Sequence, residues 1–298
     1  AAAIFDTQDN VLLTSSTASG KTEAAFFPIL TLLNQQPSQS IGCLYIAPLK
    51  ALINDQYDRL TTLCEGTGIN IWRWHGDVSQ TQKRKLLRHP SGVLQITPES
   101  LEAILLRKHS LVPRLFGDLR FVVIDELHSF LRSDRGAQCF CLIERLQRLA
   151  DVHPRRIGLS ATIGDPRLAA QFLGANSGRK TVVPRFQQTP QIWRLSMEHF
   201  FNQAPQATAG TALAGKPGKV LAPATDHAPG LANPGLGYIF DHTRGHKCLV
   251  FTNSREECEA VCQSLREYCG AVHESDRFLI HHGNLSPAVR QSAEDAMK

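Results

Sequence analysis

The stretch that decides the fold is Val11-Leu12-Leu13-Thr14-Ser15-Ser16-Thr17-Ala18-Ser19-Gly20-Lys21-Thr22, where an apolar run passes through small residues into Gly-Lys-Thr. An amphipathic pattern over Lys21–Leu33 follows and predicts a helix. A loop that binds nucleotide phosphates needs small residues so that its backbone N–H groups reach the phosphate oxygens. It also needs a lysine for the outer phosphates and a hydroxyl for Mg²⁺. Strand, loop and helix in this order therefore predict ATP-binding residues, which are Thr17, Ala18, Ser19, Gly20, Lys21 and Thr22.

A second pattern, Phe121-Val122-Val123-Ile124-Asp125-Glu126-Leu127-His128, places two acids after four apolar residues. It is typical of a buried strand that ends in a carboxylate pair, and on its own it also fits a solvated strand end. Together with the Gly-Lys-Thr loop it predicts a nucleoside triphosphatase. In that interpretation Thr22 and Asp125 hold Mg²⁺, and Glu126 polarises the attacking water.

Short apolar, β-branched runs alternate with helical patterns from residue 10 to residue 163. The predicted strands are Asn10–Ser16, Gly42–Pro48, Asn70–His75, Val93–Thr97, Phe121–Glu126 and Arg156–Ala161. Nearly continuous apolar strands between amphipathic helices indicate an α/β fold with a parallel sheet covered by helices on both faces. Ligands of such sheets bind at the carboxyl ends of the strands, where the two motifs fall.

Composition excludes two classes of protein. The chain has 298 residues, of which 42% are apolar and 20% charged, and at roughly 150 residues per domain this length predicts about two domains. No apolar run approaches the roughly 18 residues of a membrane span, and none of the eight cysteines forms a C-x-x-C pair. We therefore expect neither a membrane protein nor a zinc ribbon, but a cytoplasmic protein with reduced cysteines. The net charge of +5 permits binding to a polyanion without requiring it.

The second part of the chain has a different composition. Between Asn202 and Gly237, 20 of 36 residues are Ala, Gly or Pro, which predicts a flexible insertion near 202–237. Alternation then resumes, with predicted strands at Lys247–Asn253 and Phe278–Gly283 among helical patterns. We expect a first domain over 1–180 and part of a second over 181–298. The first residue is not Met and the last lies inside a helical pattern, so we expect a piece of a longer protein.

Several segments, in order, resemble the motifs of superfamily 2 DEAD/DEAH-type helicases. Gly20-Lys21-Thr22, Asp125-Glu126-Leu127-His128 and Ser160-Ala161-Thr162 resemble motifs I, II and III. Motif Ia is resembled by Ala47-Pro48-Leu49-Lys50-Ala51-Leu52, and motif Ib by Ile96-Thr97-Pro98-Glu99-Ser100-Leu101. Motif IV is resembled by Leu249–Arg255, and the segment before motif V by His281–Ser286. His75-Gly76-Asp77 lies where the superfamily often has an H-G turn. The amino-acid sequences of these motifs are most similar to those of the Lhr-type (large helicase-related) branch.

This resemblance implies tandem RecA-like P-loop domains that use ATP and Mg²⁺ to move along nucleic acid, in the 3′-to-5′ direction for this branch. Lys21, Asp125, Glu126 and His128 would be catalytic, and Ser160 and Thr162 would couple the nucleotide to the strand. The implied nucleic-acid-binding residues are Pro48, Lys50, His75, Gly76, Thr97, Pro98, Ser100, Ser254, Arg255 and His282. The expected partner is single-stranded or partly duplex nucleic acid, DNA in preference to RNA. A contact to the 2′-hydroxyl group would distinguish RNA from DNA, and no motif in this sequence indicates such a contact.

The departures from the family pattern define the alternatives. Ser15 and Ala18 replace residues that are usually Ala and Gly in the phosphate loop, and no Q-motif glutamine precedes it. Motifs V and VI are absent, and motif VI normally supplies arginine fingers. We therefore expect residues 1–298 alone to hydrolyse ATP at a near-background rate. Two other functions fit the motifs: an ATPase that remodels protein–nucleic-acid complexes without processive unwinding, and a binding module that does not hydrolyse.

Overall fold

The computed structural model describes residues 1–16, 19–161, 163–184, 194–200 and 233–297. The chain divides into two compact units, Ala1–Pro190 and Gln191–Lys298. Three predicted site residues, Thr17, Ala18 and Thr162, lie outside the described residues. Most of the predicted Ala/Gly/Pro-rich insertion also lies outside them.

The first unit is built on a parallel sheet of seven strands. They are β1 Asn10–Thr14, β2 Ile41–Ile46, β3 Ile71–Trp74, β4 Gly92–Ile96, β5 Phe121–Ile124, β6 Arg155–Ser160 and β7 Thr181–Val182. Their order across the sheet is β3-β4-β2-β5-β6-β1-β7, and every neighbouring pair is parallel. All six predicted strands are present with shifted ends, and β7 is an addition to them.

Helices cover both faces of this sheet. They are α1 Ala2–Asp6, α2 Lys21–Gln35, α3 Lys50–Leu63, α4 Gln80–Arg88, α5 Pro98–Arg107, α6 Val112–Phe116, α7 Asp134–Ala150 and α8 Pro166–Gly174, with 3₁₀ turns at His109–Leu111 and Leu127–Ser129. The core of one face joins the sheet to α1, α2 and α3. The core of the other face joins it to α4 through α8.

Strand alternation explains the two cores. On β2, Leu44 and Ile46 belong to one core, whereas Cys43 and Tyr45 belong to the other, because successive side chains point to opposite faces. Strands buried on both faces need continuous apolar sequence, which is the pattern that predicted them. On β3, Trp74 is buried and the half-buried Trp72 packs against the same core.

The described part of the second unit is helical. It contains α9 Pro234–His242, α10 Arg255–Ala271 and α11 Pro287–Met297, with a small core around Phe240, Leu265 and Cys269.

The strands predicted at Lys247–Asn253 and Phe278–Gly283 do not form in this structure. A strand requires a hydrogen-bonded neighbour, and among the described residues of this unit neither segment has one. Leu249 and Phe251 are consequently 71% and 87% exposed.

Candidate nucleotide and nucleic-acid site

Six strands of the first unit bring the predicted motifs to one edge of the sheet. Because the strands are parallel, their carboxyl ends share that edge. The residues at or just after these ends are, in sheet order, His75, Thr97, Pro48, Asp125, Ser160 and Ser15. Segments that are far apart in the sequence are therefore neighbours in the fold.

The phosphate loop holds the lysine ammonium at its centre. Lys21 Nζ donates hydrogen bonds to the carbonyl oxygens of Ser15 at 2.8 Å and Ser16 at 2.6 Å. Gly20 ends the loop with a φ of 76°, a conformation that glycine adopts without steric cost. The hydroxyl groups of Ser15 and Ser19 hydrogen-bond to each other, so these two serines connect the start of the loop to its end.

The charge of Lys21 is tuned by its surroundings. Partial burial lowers the pKa of Lys21, and the nearby carboxylates of Glu126 and Asp125 offset part of that shift. The loop on β1 and the acid pair on β5 therefore interact electrostatically, although β6 lies between these strands in the sheet.

Asp125 is a buried carboxylate held by two donors. Its exposure is 8%; Oδ1 accepts the backbone N–H of Glu126 at 2.9 Å, and Oδ2 accepts the hydroxyl of Tyr45. Burial raises the pKa of Asp125, and the Tyr45 hydrogen bond opposes this shift without cancelling it. Burial, followed by the charge of Asp125, holds the pKa of Tyr45 well above its usual range. The phenol therefore remains a donor to Asp125 at physiological pH.

Glu126 and His128 form a turn with unusual backbone geometry. Glu126 has φ 48° and ψ 44°, in the left-handed region that non-glycine residues seldom adopt. His128 Nδ1 lies 3.3 Å from Glu126 Oε2 and 3.3 Å from the hydroxyl oxygen of Ser160. The structure thus brings together His128, which is predicted to be catalytic, and Ser160, which is predicted to couple the nucleotide to the strand.

Lys50 lies beside the H-G turn. It is the first residue of α3, and its Nζ is 3.2 Å from each carboxylate oxygen of Asp77. A Cβ atom at Gly76 would lie 3.3 Å from the same nitrogen, so the glycine permits close approach. Lys50 and Asp77 are both exposed, and their charges are available to a ligand at this edge.

His75 is predicted to bind nucleic acid, but its side chain is only 3% exposed. Its Nε2 lies 3.0 Å from Asn54 Oδ1, which also accepts a hydrogen bond from Arg73. Burial lowers the pKa of His75, which keeps the ring neutral at physiological pH. In this structure the imidazole ring packs beneath the H-G turn, and Gly76 and Asp77 are the exposed residues of that turn.

The motif Ib segment begins helix α5. Thr97 caps the helix by accepting the backbone N–H of Ser100 at 3.4 Å, and it donates to the Ser100 hydroxyl at 3.1 Å. Pro98 occupies the first turn, where its missing N–H costs nothing. The side chains of Thr97, Pro98 and the motif Ia residue Pro48 are buried, so they shape these segments, whereas Ser100 remains half-exposed.

The other predicted residues belong to the second unit. Ser254 caps α10 by accepting the backbone N–H of Glu257 at 3.0 Å. Arg255 donates from Nη1 to Asn284 Oδ1 at 2.7 Å, which joins motif IV to the segment before α11. In that segment, His282 lies beside Glu259.

Comparison with known proteins identifies the family. A family model for the DEAD/DEAH box helicase matches residues 1–169, more than half of the chain. The chain belongs to this helicase family. Its first unit is the RecA-like α/β domain that the motifs predict, and the assignment to DEAD/DEAH-type helicases is confirmed.

The helicase chain is similar to proteins of the Lhr type. The ATP-dependent helicase Lhr-Core of Sulfolobus acidocaldarius is 33% identical over 97% of this chain and 32% of its own length. The Lhr helicase/uracil glycosylase of Escherichia coli K12 is 28% identical over 97% of this chain and 21% of its own length. The structure of Mycobacterium smegmatis helicase Lhr bound to ssDNA and AMP-PNP has 28% identity and a TM-score of 0.71, covering 98% of this chain and 36% of that one. The helicase chain spans about a third or less of the length of these relatives.

Two residues of the helicase site are not predicted by its motifs. Tyr45 looks like one more apolar strand residue, and its role depends on β2 lying next to β5. Arg135 stands in the first turn of α7, where it donates to the Pro48 carbonyl and to Glu99. No sequence pattern marks either residue, because their three contacts join segments that are 36 to 87 positions apart.

No helix among the described residues is long and apolar enough to cross a membrane. Within the same ranges, no group of three His, Cys, Asp or Glu side chains could hold a metal ion by itself.

Proposed function

We propose that the protein containing this chain is an ATP-dependent nucleic-acid helicase or translocase in which hydrolysis drives movement along a single strand. The observation that carries the proposal is the meeting of Lys21, Asp125 and Glu126 at one sheet edge, next to the motif Ia and Ib segments. The relatives support it, since each is named a helicase and the Sulfolobus acidocaldarius protein an ATP-dependent helicase. The 3′-to-5′ direction follows from resemblance to the Lhr-type branch.

In the proposed mechanism, the chain's own residues bind and orient the nucleotide. Lys21 would exchange its two loop carbonyl partners for oxygens of the β- and γ-phosphates, and the backbone of Thr17–Gly20 would complete the cradle. Glu126 would accept a hydrogen bond from the attacking water, and its left-handed backbone sets the direction of its carboxylate. His128, together with Ser160 and Thr162, would couple the state of the bound nucleotide to the conformation of the strand-binding segments.

The residues present also fit a Mg²⁺ ion shared with the nucleotide. Mg²⁺ is usually held by one or two carboxylates together with phosphate oxygens rather than by a protein cage. Thr22 and Asp125 would supply the protein ligands, and a nearby cation would favour the ionised form of Asp125, which burial disfavours. When bound, the ion neutralises charge on the phosphates.

The proposed strand path runs over the motif Ia, H-G and Ib segments. Lys50, Gly76 and Ser100 are its accessible residues in the first unit, and Ser254, Arg255 and His282 would contribute from residues 181–298 as part of a second RecA-like domain. We propose DNA as the substrate in preference to RNA, since the Mycobacterium smegmatis relative binds ssDNA. Phosphate contacts of this kind carry no sequence preference.

Binding measurements on the 298-residue chain test this function without requiring turnover. Fluorescent AMP-PNP with Mg²⁺ and a labelled oligo(dT) strand are the probes, and Lys21→Ala is the variant. Lys21→Ala is expected to weaken nucleotide binding at least about tenfold, because it removes a charged hydrogen bond to the phosphates. Lys180→Ala, an exposed lysine of the first unit, is the matched control and should stay within about twofold of wild type.

Equal nucleotide binding by wild type and Lys21→Ala would refute the phosphate-loop assignment. Absence of oligo(dT) binding, with nucleotide binding intact, would refute the strand path. In a longer chain that includes motif VI, ATPase and strand-separation assays distinguish a helicase from a remodelling ATPase and from a non-hydrolysing module.

A further inference from the structure

The first turn of α7 contacts two motif segments at once. Arg135 Nη2 donates to the Pro48 carbonyl at 2.7 Å, in motif Ia. Arg135 Nε donates to Glu99 Oε1 at 2.6 Å, in motif Ib. One guanidinium therefore bridges the segments that begin α3 and α5.

The contact with Glu99 has the character of a charged hydrogen bond. Partial burial raises the pKa of Glu99, but hydrogen bonds, the one from Arg135 foremost, outweigh this and lower it overall. One helical turn further along, Gln138 Nε2 donates to Glu102 Oε2 at 2.8 Å. Helices α5 and α7 are thus joined by two successive polar contacts, and the first contact fixes the end that carries motif Ib.

The same turn of α7 packs against the turn that follows the acid pair. A Cβ atom at Gly136 would lie 1.7 Å from the Phe130 carbonyl oxygen, so only a hydrogen fits there. Ser133 donates to the Ser129 carbonyl at 3.2 Å and caps α7 by accepting the Gly136 N–H at 3.2 Å. The backbone between Ser129 and Gly136 is therefore held together at three points.

We propose that Arg135 is a positioning residue that fixes motifs Ia and Ib relative to each other for strand binding and connects both to the turn after Asp125 and Glu126. This inference rests on the proposed strand path over Lys50 and Ser100. The arginine itself touches neither nucleotide nor strand. It acts through the Pro48 carbonyl, two residues before Lys50, and through Glu99, next to Ser100.

The planar fork of arginine suits this task. It donates in two directions from separate nitrogens of one rigid group, whereas all the donors of lysine lie on a single nitrogen, which reaches two partners only when they are close together. Loss of the fork frees the start of α3 from the start of α5, and a strand that contacts both then has to order them on binding. Nucleotide binding uses β1, α2 and β5, so it should not need Arg135.

The test compares strand and nucleotide affinity in the 298-residue chain. Arg135→Ala and Arg135→Lys are expected to raise the Kd for labelled oligo(dT) by about tenfold and a few-fold respectively, the range expected for one charged hydrogen bond. The Kd for fluorescent AMP-PNP with Mg²⁺ should stay within about twofold, as for a site distant from the change. Arg145→Ala, an exposed arginine on the same helix, is the control and should alter neither.

A double-mutant cycle with Glu99→Gln supplies a second readout. If Arg135 acts through Glu99, the two substitutions together weaken oligo(dT) binding by clearly less than the product of their separate effects. Hydrogen exchange should also rise in both the 49–53 and the 98–102 segments of Arg135→Ala, whereas a purely local effect would appear near residue 135 alone.

The possible failures are distinguishable. If the wild-type chain binds no oligo(dT), the proposed function fails, and this inference falls with it. If the wild type binds and the Arg135 variants bind equally well, or lose strand and nucleotide affinity in parallel, the inference alone is overturned. Arg135→Lys keeps the test decisive if Arg135→Ala does not fold.

Discussion

Replacing Gly136 with alanine tests how tightly α7 is held against the turn after the acid pair. The new Cβ would lie 1.7 Å from the Phe130 carbonyl oxygen and 2.6 Å from its carbon, whereas real Cβ contacts are essentially never shorter than 3.0 Å. The obstacle is backbone, so no side-chain rotation relieves it. A gap of about 1.3 Å must open between the turn and the helix.

The expected destabilisation follows from two opposing effects. Overpacking a well-packed site costs about 1–3 kcal/mol, and a backbone obstacle places this one near the upper limit. Alanine in place of glycine stabilises a helix by about 1 kcal/mol. The net loss is about 2 kcal/mol, which for a unit of this size lowers the unfolding temperature by roughly 4–8 °C.

Thermal unfolding followed by circular dichroism measures this shift. Gly164→Ala is the matched control, because a Cβ there meets nothing within 4 Å, and its unfolding temperature should stay within about 1 °C of wild type. Gly136→Ala should also weaken oligo(dT) binding, since Arg135 is carried on the same turn. An unfolding temperature for Gly136→Ala equal to that of the control would show that the turn and α7 are not in tight contact.

Two further substitutions test the acid pair. Glu126→Gln keeps the shape of the side chain but loses its charge, so in a longer chain with motif VI it should slow single-turnover ATP hydrolysis by about a hundredfold while nucleotide binding persists; loss of binding would instead place Glu126 among the metal ligands. The pKa of Asp125 is higher in the folded state than in the unfolded chain, so the folded state binds a proton on this carboxylate more tightly. The stability that this proton provides is lost as the pH rises through the raised pKa. Asp125→Asn, whose amide can donate to the Tyr45 hydroxyl, should therefore unfold at a higher temperature than wild type at neutral pH. That advantage should shrink as the pH falls toward the ordinary aspartate value, and an equal or lower unfolding temperature at neutral pH would contradict the assignment of burial as the dominant effect.

The strands of the first unit are predictable because burial on both faces requires continuous apolar sequence. The prediction Val93–Thr97 differs from β4 Gly92–Ile96 by one residue at each end, and Phe121–Glu126 overruns β5 by two. The predicted end is too late for a physical reason. Asp125 is buried like the strand residues before it, although its side chain is polar and it lies just beyond the end of β5. Motif order then places the loop and the acid pair at one sheet edge.

Contacts between distant segments are not predictable from this one sequence. Tyr45 reaches Asp125 only because β2 and β5 are neighbours. The hydrophobic periodicity of each segment predicts a strand but does not predict the order of strands in the sheet. The inward rotation of His75 likewise depends on Asn54 and Arg73. In the second unit, the apolar patterns at Lys247–Asn253 and Phe278–Gly283 predicted strands that do not form in this structure. A strand also needs a hydrogen-bonded partner, which the pattern does not supply.

The segment Cys248–Asn253, which has no strand partner among the described residues, has a consequence for the solution behaviour of the chain. Leu249 and Phe251 expose most of their surface beside the exposed free thiol of Cys248. A short β-prone run with exposed apolar side chains and unpaired backbone is a template on which other copies can add strands. We therefore expect concentrated or oxidising storage to favour aggregates that are joined through this segment, at the expense of monomers.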